Sequence, residues 1–324
     1  MNKSNRILCS KYSSENNEAI SGTAPDWDTL LLVSLNTPWQ PDIENSNDFP
    51  VGISEMVKSA STANNKIRLQ CIIPDEDYVG SGLTKIIKYS KKLGEDYFSK
   101  FQKIEFDVSS DKIDDLINKL IVNEDKNLIE QGLINNRDAR DIFVCTHGSR
   151  DVCCASFGFP IYTKLKNTFQ KSDDTSTRVW RISHIGGHRY APNVIEMPSG
   201  RVWSRFEVDD IEGIFEKQYT VGEVEPFYRG LIGLNTGYEQ IMETKLLLQT
   251  GWDWVDTSFK SKIIESKDDK ATVQFETSKA NNSGKSLYQA TIEIDGYVQT
   301  IQCRTGVETK KEPQYKMVAF DKLA

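Results

Sequence analysis

The residues able to do chemistry in this chain are gathered in two short segments. Cys145-Thr-His-Gly-Ser-Arg-Asp-Val-Cys-Cys holds Cys145, His147, Cys153 and Cys154, and His184-Ile-Gly-Gly-His188 follows some thirty residues on. All 3 histidines of the chain lie in these segments. Two soft thiolates from the first and two imidazoles from the second suit either a tetrahedral zinc ion or a 2Fe-2S cluster with cysteines on one iron and histidines on the other; spacing alone does not choose. A His-x3-His pair stacks on one helix face, but Gly186 and Gly187 make a helix costly here, so a tight loop is expected. Cys145 and His147 match the first half of a Rieske ligand pattern. The second half, Cys-x-x-His, is absent because Phe157 stands three residues after Cys154.

Bland roles compete with these. Buried apolar cysteines are common in proteins of reducing compartments, and a Gly-Gly pair between histidines also suits a turn or an anion-cradling loop. His147 is read as a proton relay or a surface histidine bonded to its loop. Arg150 and Asp151 are read as an ion pair holding the loop, or as hydrogen-bonding groups that tune the centre. Trp180 and Trp203 are assigned to core packing, and the scattered Cys9, Cys71 and Cys303 receive no role.

The elements that must position these groups form two similar series. Residues 1–28 read as a loose polar arm. Thr29 to Leu35 is an apolar strand, Val51 to Ala63 has helical spacing, Ile67 to Ile73, Lys85 to Tyr89 and Lys103 to Val108 are β-rich, and Lys112 to Val122 is an amphipathic helix. The second series has a strand at Asp141 to Cys145, a helix at Gly158 to Phe169 with Pro160 in its first turn, a strand at Arg178 to His184, a hairpin about Pro198-Ser199-Gly200 and a short helix at Ile211 to Lys217. Their shared β-α-β-β-α rhythm, one parallel crossover and then a hairpin, predicts an α/β (α+β) protein of two tandem thioredoxin-like domains, residues 29–135 and 136–230. Residues 231–324 read as a helix plus a small antiparallel appendage, with Asp295-Gly296 as a hairpin turn and no catalytic constellation.

Composition narrows the function classes. A net charge of -7 argues against nucleic acid or an anionic membrane as partner. No apolar run is long enough to span a bilayer, the polar start lacks a secretory signal's apolar core, and the cysteines cluster rather than framing disulfides, so a cytoplasmic, reducing location is expected.

CTHGSRDVCC at 145–154 and HIGGHRYAPNVIEMPSG at 184–200 resemble the sucrase/ferredoxin-like family, as does GTAPDWDTLLLVSL at 22–35. The similarity covers roughly residues 9 to 220. It implies a thioredoxin-fold, ferredoxin-like second domain and a 2Fe-2S cluster on Cys145, Cys154, His184 and His188. Cys153 is an alternative ligand, because the related pattern commonly has a single cysteine where this chain has two. Adjacent side chains on an extended loop point opposite ways, so both do not reach one iron. The implied function is a soluble electron carrier between unidentified redox donor and acceptor proteins, with histidine ligands that raise the potential and couple reduction to proton uptake. Rival readings are structural zinc in the same ligands, a thiol oxidoreductase that lacks the usual Cys-x-x-Cys, and a hydrolase for which no carboxylate pair stands out.

Overall fold

The computed structural model describes residues 7–91, 96–134, 139–171, 176–278 and 284–323. The chain opens with α1 (Cys9–Glu15), which buries Cys9, Ser10 and Ser13. From residue 7 on, the segment expected as a loose arm is therefore tied down, and Glu18 explains how: its buried carboxylate takes hydrogen bonds from Arg189 Nε at 2.7 Å and Tyr190 Oη at 2.6 Å.

The first half follows the expected wiring. β1 (Thr29–Ser34) is buried at every position, as an apolar run covered on both faces should be. α2 (Ile53–Ala60) crosses over to β2 (Ile67–Ile72), which runs parallel to β1. β3 (Thr84–Ser90) lies antiparallel on the other side of β1, and β4 (Gln102–Val108) lies beside β3. α3 (Ile113–Ile117), extended by a π-turn to Val122, packs Ile113, Leu116 and Ile117 against Leu31, Val33 and Ile86. α4 (Lys126–Ile134) follows.

The second half repeats this order. β5 (Arg140–Cys145), α5 (Val152–Lys171) and β6 (Thr177–Ile182) make a parallel crossover. β7 (Asn193–Met197) is antiparallel to β5 and β8 (Arg201–Ser204) pairs with β7. After α6 (Ile211–Phe215) and α7 (Val221–Val224), β9 (Tyr228–Leu231) extends that edge. The wiring leaves β2 and β6 as edges of their own halves, and an unpaired edge exposes backbone donors and acceptors. They pair with each other, antiparallel, through Ile72 opposite Ile182, so one nine-stranded sheet crosses both halves in the order β4-β3-β1-β2-β6-β5-β7-β8-β9.

α8 (Gly237–Thr250) and the antiparallel strands β10 (Ser258–Lys267), β11 (Lys270–Ser278), β12 (Lys285–Ile301) and β13 (Glu308–Lys322) complete the chain. Met242, Leu246, Phe275 and Ile292 share one core with Val144 and Leu165 of the second half. Asp295-Gly296 is not the expected turn. β12 runs through it, the register against β13 slips between Ile294 and Tyr297, and Gly296 at φ +109° accommodates the bulge. The reversal falls instead at Gln302 to Val307. Among the described residues no helix is long and apolar enough to cross a membrane.

A buried ionic cluster fastens the halves. Arg178 on β6 donates from both terminal nitrogens to Glu105 on β4, at 3.1 and 2.7 Å, and from Nε to Asp141 on β5 at 2.7 Å. Asp141 also accepts from Trp180 Nε1 at 2.7 Å, Lys103 Nζ at 3.2 Å and the Tyr89 hydroxyl. Burial alone would raise the Asp141 carboxyl; Arg178 and Lys103 outweigh it and hold the group below the usual carboxylate range. Because that folded value is depressed, the stabilisation is present above the unfolded pKa of about 3.9 and is lost as pH falls through the folded value. Arg178→Met takes the guanidinium from between two buried carboxylates, leaving Asp141 with Lys103 and Glu105 with Lys85 at 3.7 Å, and urea unfolding at neutral pH is expected to show a loss of about 3 kcal/mol. In Asp141→Asn the decline of stability below about pH 4 becomes shallower than in the parent chain.

Candidate metal centre

Parallel pairing of β5 with β6 sets the site. Cys145 is opposite Ile182 at the ends of the two strands, so the loops leaving them start side by side. After β5 the chain turns through His147 and Gly148 and enters α5 at Val152, not at Gly158 as expected; Pro160 therefore lies inside the helix. Asp151 explains the early start, since its side chain accepts the Cys153 N–H at 2.8 Å in the manner of an N-cap. A Cβ on Gly158 would meet the Cys145 carbonyl oxygen at 2.1 Å, so this glycine lets α5 lie directly on the end of β5.

Cys153 and Cys154 consequently occupy the first turn of a helix rather than an extended loop, where successive side chains diverge by about 100°. Cys154 turns toward Cys145 and His184, and the three donor atoms lie within 4.8 Å of one another. Cys154 Sγ is 3.5 Å from His184 Nδ1. Cys153 turns away, with Sγ 3.2 Å from Cys303 and 3.6 Å from Cys9.

His184 to His188 is the expected tight loop. Gly186 and Gly187 have φ of +92° and +71°, left-handed backbone that other residues adopt at a cost, and they reverse the chain so that the His184 and His188 rings lie 5.7 Å apart. His188 stands outside the Cys145, Cys154 and His184 group. Its Nδ1 is 3.0 Å from Cys9 Sγ and 3.2 Å from Asp151 Oδ2.

The flanking residues differ from their expected roles. Arg150 pairs with Asp42 at 2.5 Å and not with Asp151, which is engaged by the helix terminus and His188. His147 is buried rather than on the surface. Its Nε2 faces the Gln40 carbonyl at 2.8 Å, which assigns the proton to Nε2 and leaves Nδ1 to accept the His184 N–H at 3.2 Å. Burial also lowers its pKa, and with both nitrogens engaged the ring ties the loop after β5 to the loop after β6. Ser149 donates to the Trp39 carbonyl at 2.7 Å and Arg68 to the His184 carbonyl at 3.2 Å. The loop after β1 and strand β2 thus brace a site whose donors come from the second half.

Hydrogen bonding from Cys154 holds the Cys145 thiol well below its ordinary range, against burial, with His184 and the His147 backbone adding to the effect. Cys154 is pushed up in turn, by its hydrogen bond to Cys145 and by burial. Burial lowers the His188 imidazole and Asp151 partly offsets this. The cysteines are buried, whereas His184 lines a cleft of about 340 Å³ with Lys58, Arg68 and Arg150. His188 lines another of about 410 Å³ with Arg189, Arg304 and Lys310. Two soft, buried sulfurs beside two imidazoles form a donor set that fits a 2Fe-2S group, in which cysteines and histidines serve different irons.

Cys9 and Cys303, 294 positions apart, approach the site without any signal in their spacing. Asp151 did carry one, an N-capping residue immediately ahead of Val-Cys-Cys.

Altered inheritance of mitochondria protein 32 from Meyerozyma guilliermondii is 31% identical over 96 residues, covering 28% of this chain and 34% of that protein. Its namesake from Debaryomyces hansenii is 34% identical over 95 residues, with coverage of 28% and 34%. The chain thus spans about a third of the length of these curated relatives. A thioredoxin-like 2Fe-2S ferredoxin from Aquifex aeolicus aligns over 28% of this chain and 89% of its own, at 18% identity and a TM-score of 0.25, too low to bear on the fold, which rests on the strand order above. The sucrase/ferredoxin-like family model matches residues 20–230, a span that holds Cys145, Cys154, His184 and His188, and the chain belongs to that family.

Proposed function

We propose that the chain binds a 2Fe-2S cluster through Cys145, Cys154, His184 and His188 and carries single electrons between protein partners, taking up a proton on reduction. The observation that carries this reading is the convergence of Cys145, Cys154 and His184 at the ends of β5 and β6, with His188 beside them. When bound, the cluster supplies one-electron chemistry at a potential that histidine ligation raises above that of an all-cysteine ferredoxin.

The chain's own groups account for the proton. Asp151 and Cys9 face Nδ1 of His188, so Nε2 is the nitrogen left for metal and Nδ1 carries the exchangeable proton. His184 turns Nδ1 toward Cys154, so its Nε2 carries the other. Both rings open on clefts, which gives these protons a route to water. Donor and acceptor proteins dock on the same clefts in this reading, and the net charge of -7 supports neither nucleic acid nor an anionic membrane as partner. Six free, buried cysteines call for a reducing compartment. The cytoplasm is one; the relatives named for mitochondrial inheritance make a mitochondrial location the alternative.

Anaerobically purified protein is expected to contain close to two irons per chain, a visible band that bleaches with dithionite and a paramagnetic reduced state. Cys145→Ser and Cys154→Ser lose the iron and Cys153→Ser keeps it. A colourless chain that takes up no iron on reconstitution, with zinc lost in Cys145→Ser, overturns the proposal.

Added negative charge at the centre raises the proton affinity of its imidazoles, so the midpoint potential falls as pH rises through the histidine range, by up to about 59 mV per unit for one proton per electron. Asp151→Asn removes the carboxylate that favours protonated His188, and the sloping region of the potential curve moves to lower pH by about one unit. A potential independent of pH in the parent chain removes the proton from the proposal.

A further inference from the structure

Beside the site just described lies a group of thiols that it does not use. Cys9 of α1, Cys153 of α5 and Cys303 of the turn after β12 come from three distant parts of the chain, and all three are buried. Their sulfurs stand 2.9 Å (Cys9 to Cys303), 3.2 Å (Cys153 to Cys303) and 3.6 Å (Cys9 to Cys153) apart. The first two separations are shorter than an ordinary nonbonded contact of about 3.5–4.0 Å. Apolar packing explains buried cysteines but gives no reason for three sulfurs to face one another. A shell of Leu8, Val152, Phe157, Ala191 and Ile301 surrounds them. One side is polar: Asp151 and His188 each place a donor atom within 4.8 Å of both Cys9 and Cys303, a group that Cys153 joins only through its contacts to those two sulfurs.

We propose that Cys9, Cys153 and Cys303 bind one zinc ion as thiolates, with the Asp151 carboxylate as the fourth donor and His188 hydrogen-bonded to the site from outside through Nδ1–H. Three soft sulfurs and one carboxylate make a closed four-donor set of the kind structural zinc takes. The carboxylate distinguishes it from an all-sulfur site suited to copper(I). Binding releases the thiol protons to solvent and involves no electron transfer. The ligands also explain how the N-terminal segment is joined to the β12–β13 turn. Arg304 N–H donates to the Ile7 carbonyl at 2.9 Å and Cys9 N–H to Cys303 Sγ at 3.2 Å, so the ion closes a contact between the N-terminal arm and the β12–β13 turn. The site shares Asp151 and His188 with the iron–sulfur reading, Cys9 facing His188 Nδ1, and is otherwise independent of it.

The test is metal content of the full chain, purified anaerobically from medium holding iron and zinc, in the parent, Cys303→Ser, Cys9→Ser and Cys145→Ser. One zinc per chain is expected in the parent. It falls at least tenfold in Cys303→Ser and Cys9→Ser while the visible iron spectrum stays, and it persists in Cys145→Ser while that spectrum goes. Because these variants need not fold, the parent is also labelled with N-ethylmaleimide before and after treatment with a chelator, and its peptides are mapped by mass spectrometry. Cys9, Cys153 and Cys303 are expected to react together, and only once zinc has been withdrawn. No zinc in the parent after incubation with the ion alone, or a Cys9–Cys303 disulfide in reductively purified protein, overturns the proposal. Zinc that follows Cys145→Ser rather than Cys303→Ser sinks both this site and the iron–sulfur reading, whereas zinc lost with Cys303→Ser in an iron-free chain leaves this site standing alone.

Discussion

The guanidinium of Arg178, buried between Glu105 and Asp141, is the interaction on which the rest of this molecule depends. Taking such charges out of water costs several kcal/mol per ion, and the attraction between them offsets that cost only when the remaining hydrogen-bonding capacity is also filled. Here Tyr89, Lys103 and Trp180 fill it. The backbone join between the halves is slight, a single registered pair at Ile72 and Ile182. The cluster, by contrast, draws on β3, β4, β5 and β6, and so specifies how the halves meet.

The same two strands serve both ends of the argument. Asp141 faces Arg178 where β5 and β6 begin, and Cys145 faces Ile182 where they finish. A shift of one residue between them would separate Asp141 from Arg178 and displace the Cys145 loop from the His184 loop together. Parallel register is thus what brings Cys145, Cys154 and His184, from two sequence segments thirty residues apart, within 4.8 Å of one another.

Local patterns made much of this readable. Thr29 to Leu35 and Asp141 to Cys145 are short, mostly apolar runs that read as buried strands, and the glycines of His184-Ile-Gly-Gly-His188 made a helix costly on conformational grounds. What stayed hidden was decided by partners far along the chain. That β2 and β6 would cover each other's open edges follows from the wiring only once both halves exist. The direction of Cys153 depends on Asp151 starting α5 early. The approach of Cys9 to Cys303 needs Glu18 to hold the arm against Arg189 and Tyr190, three residues whose meeting no periodicity announces. Asp295-Gly296 misled because a bulge and a hairpin turn make the same demand on a glycine.

The bracing of the ligand loops by the first half has a kinetic meaning. Gln40, Trp39 and Asp42 hold His147, Ser149 and Arg150, and Arg68 holds the His184 carbonyl, so the surroundings of the donors are fixed by a body that contributes no donor itself. Dipoles already in place need not turn when charge arrives. In the carrier proposed above, electron exchange would need little rearrangement at each step, and the first half would act as the mount that keeps the centre still.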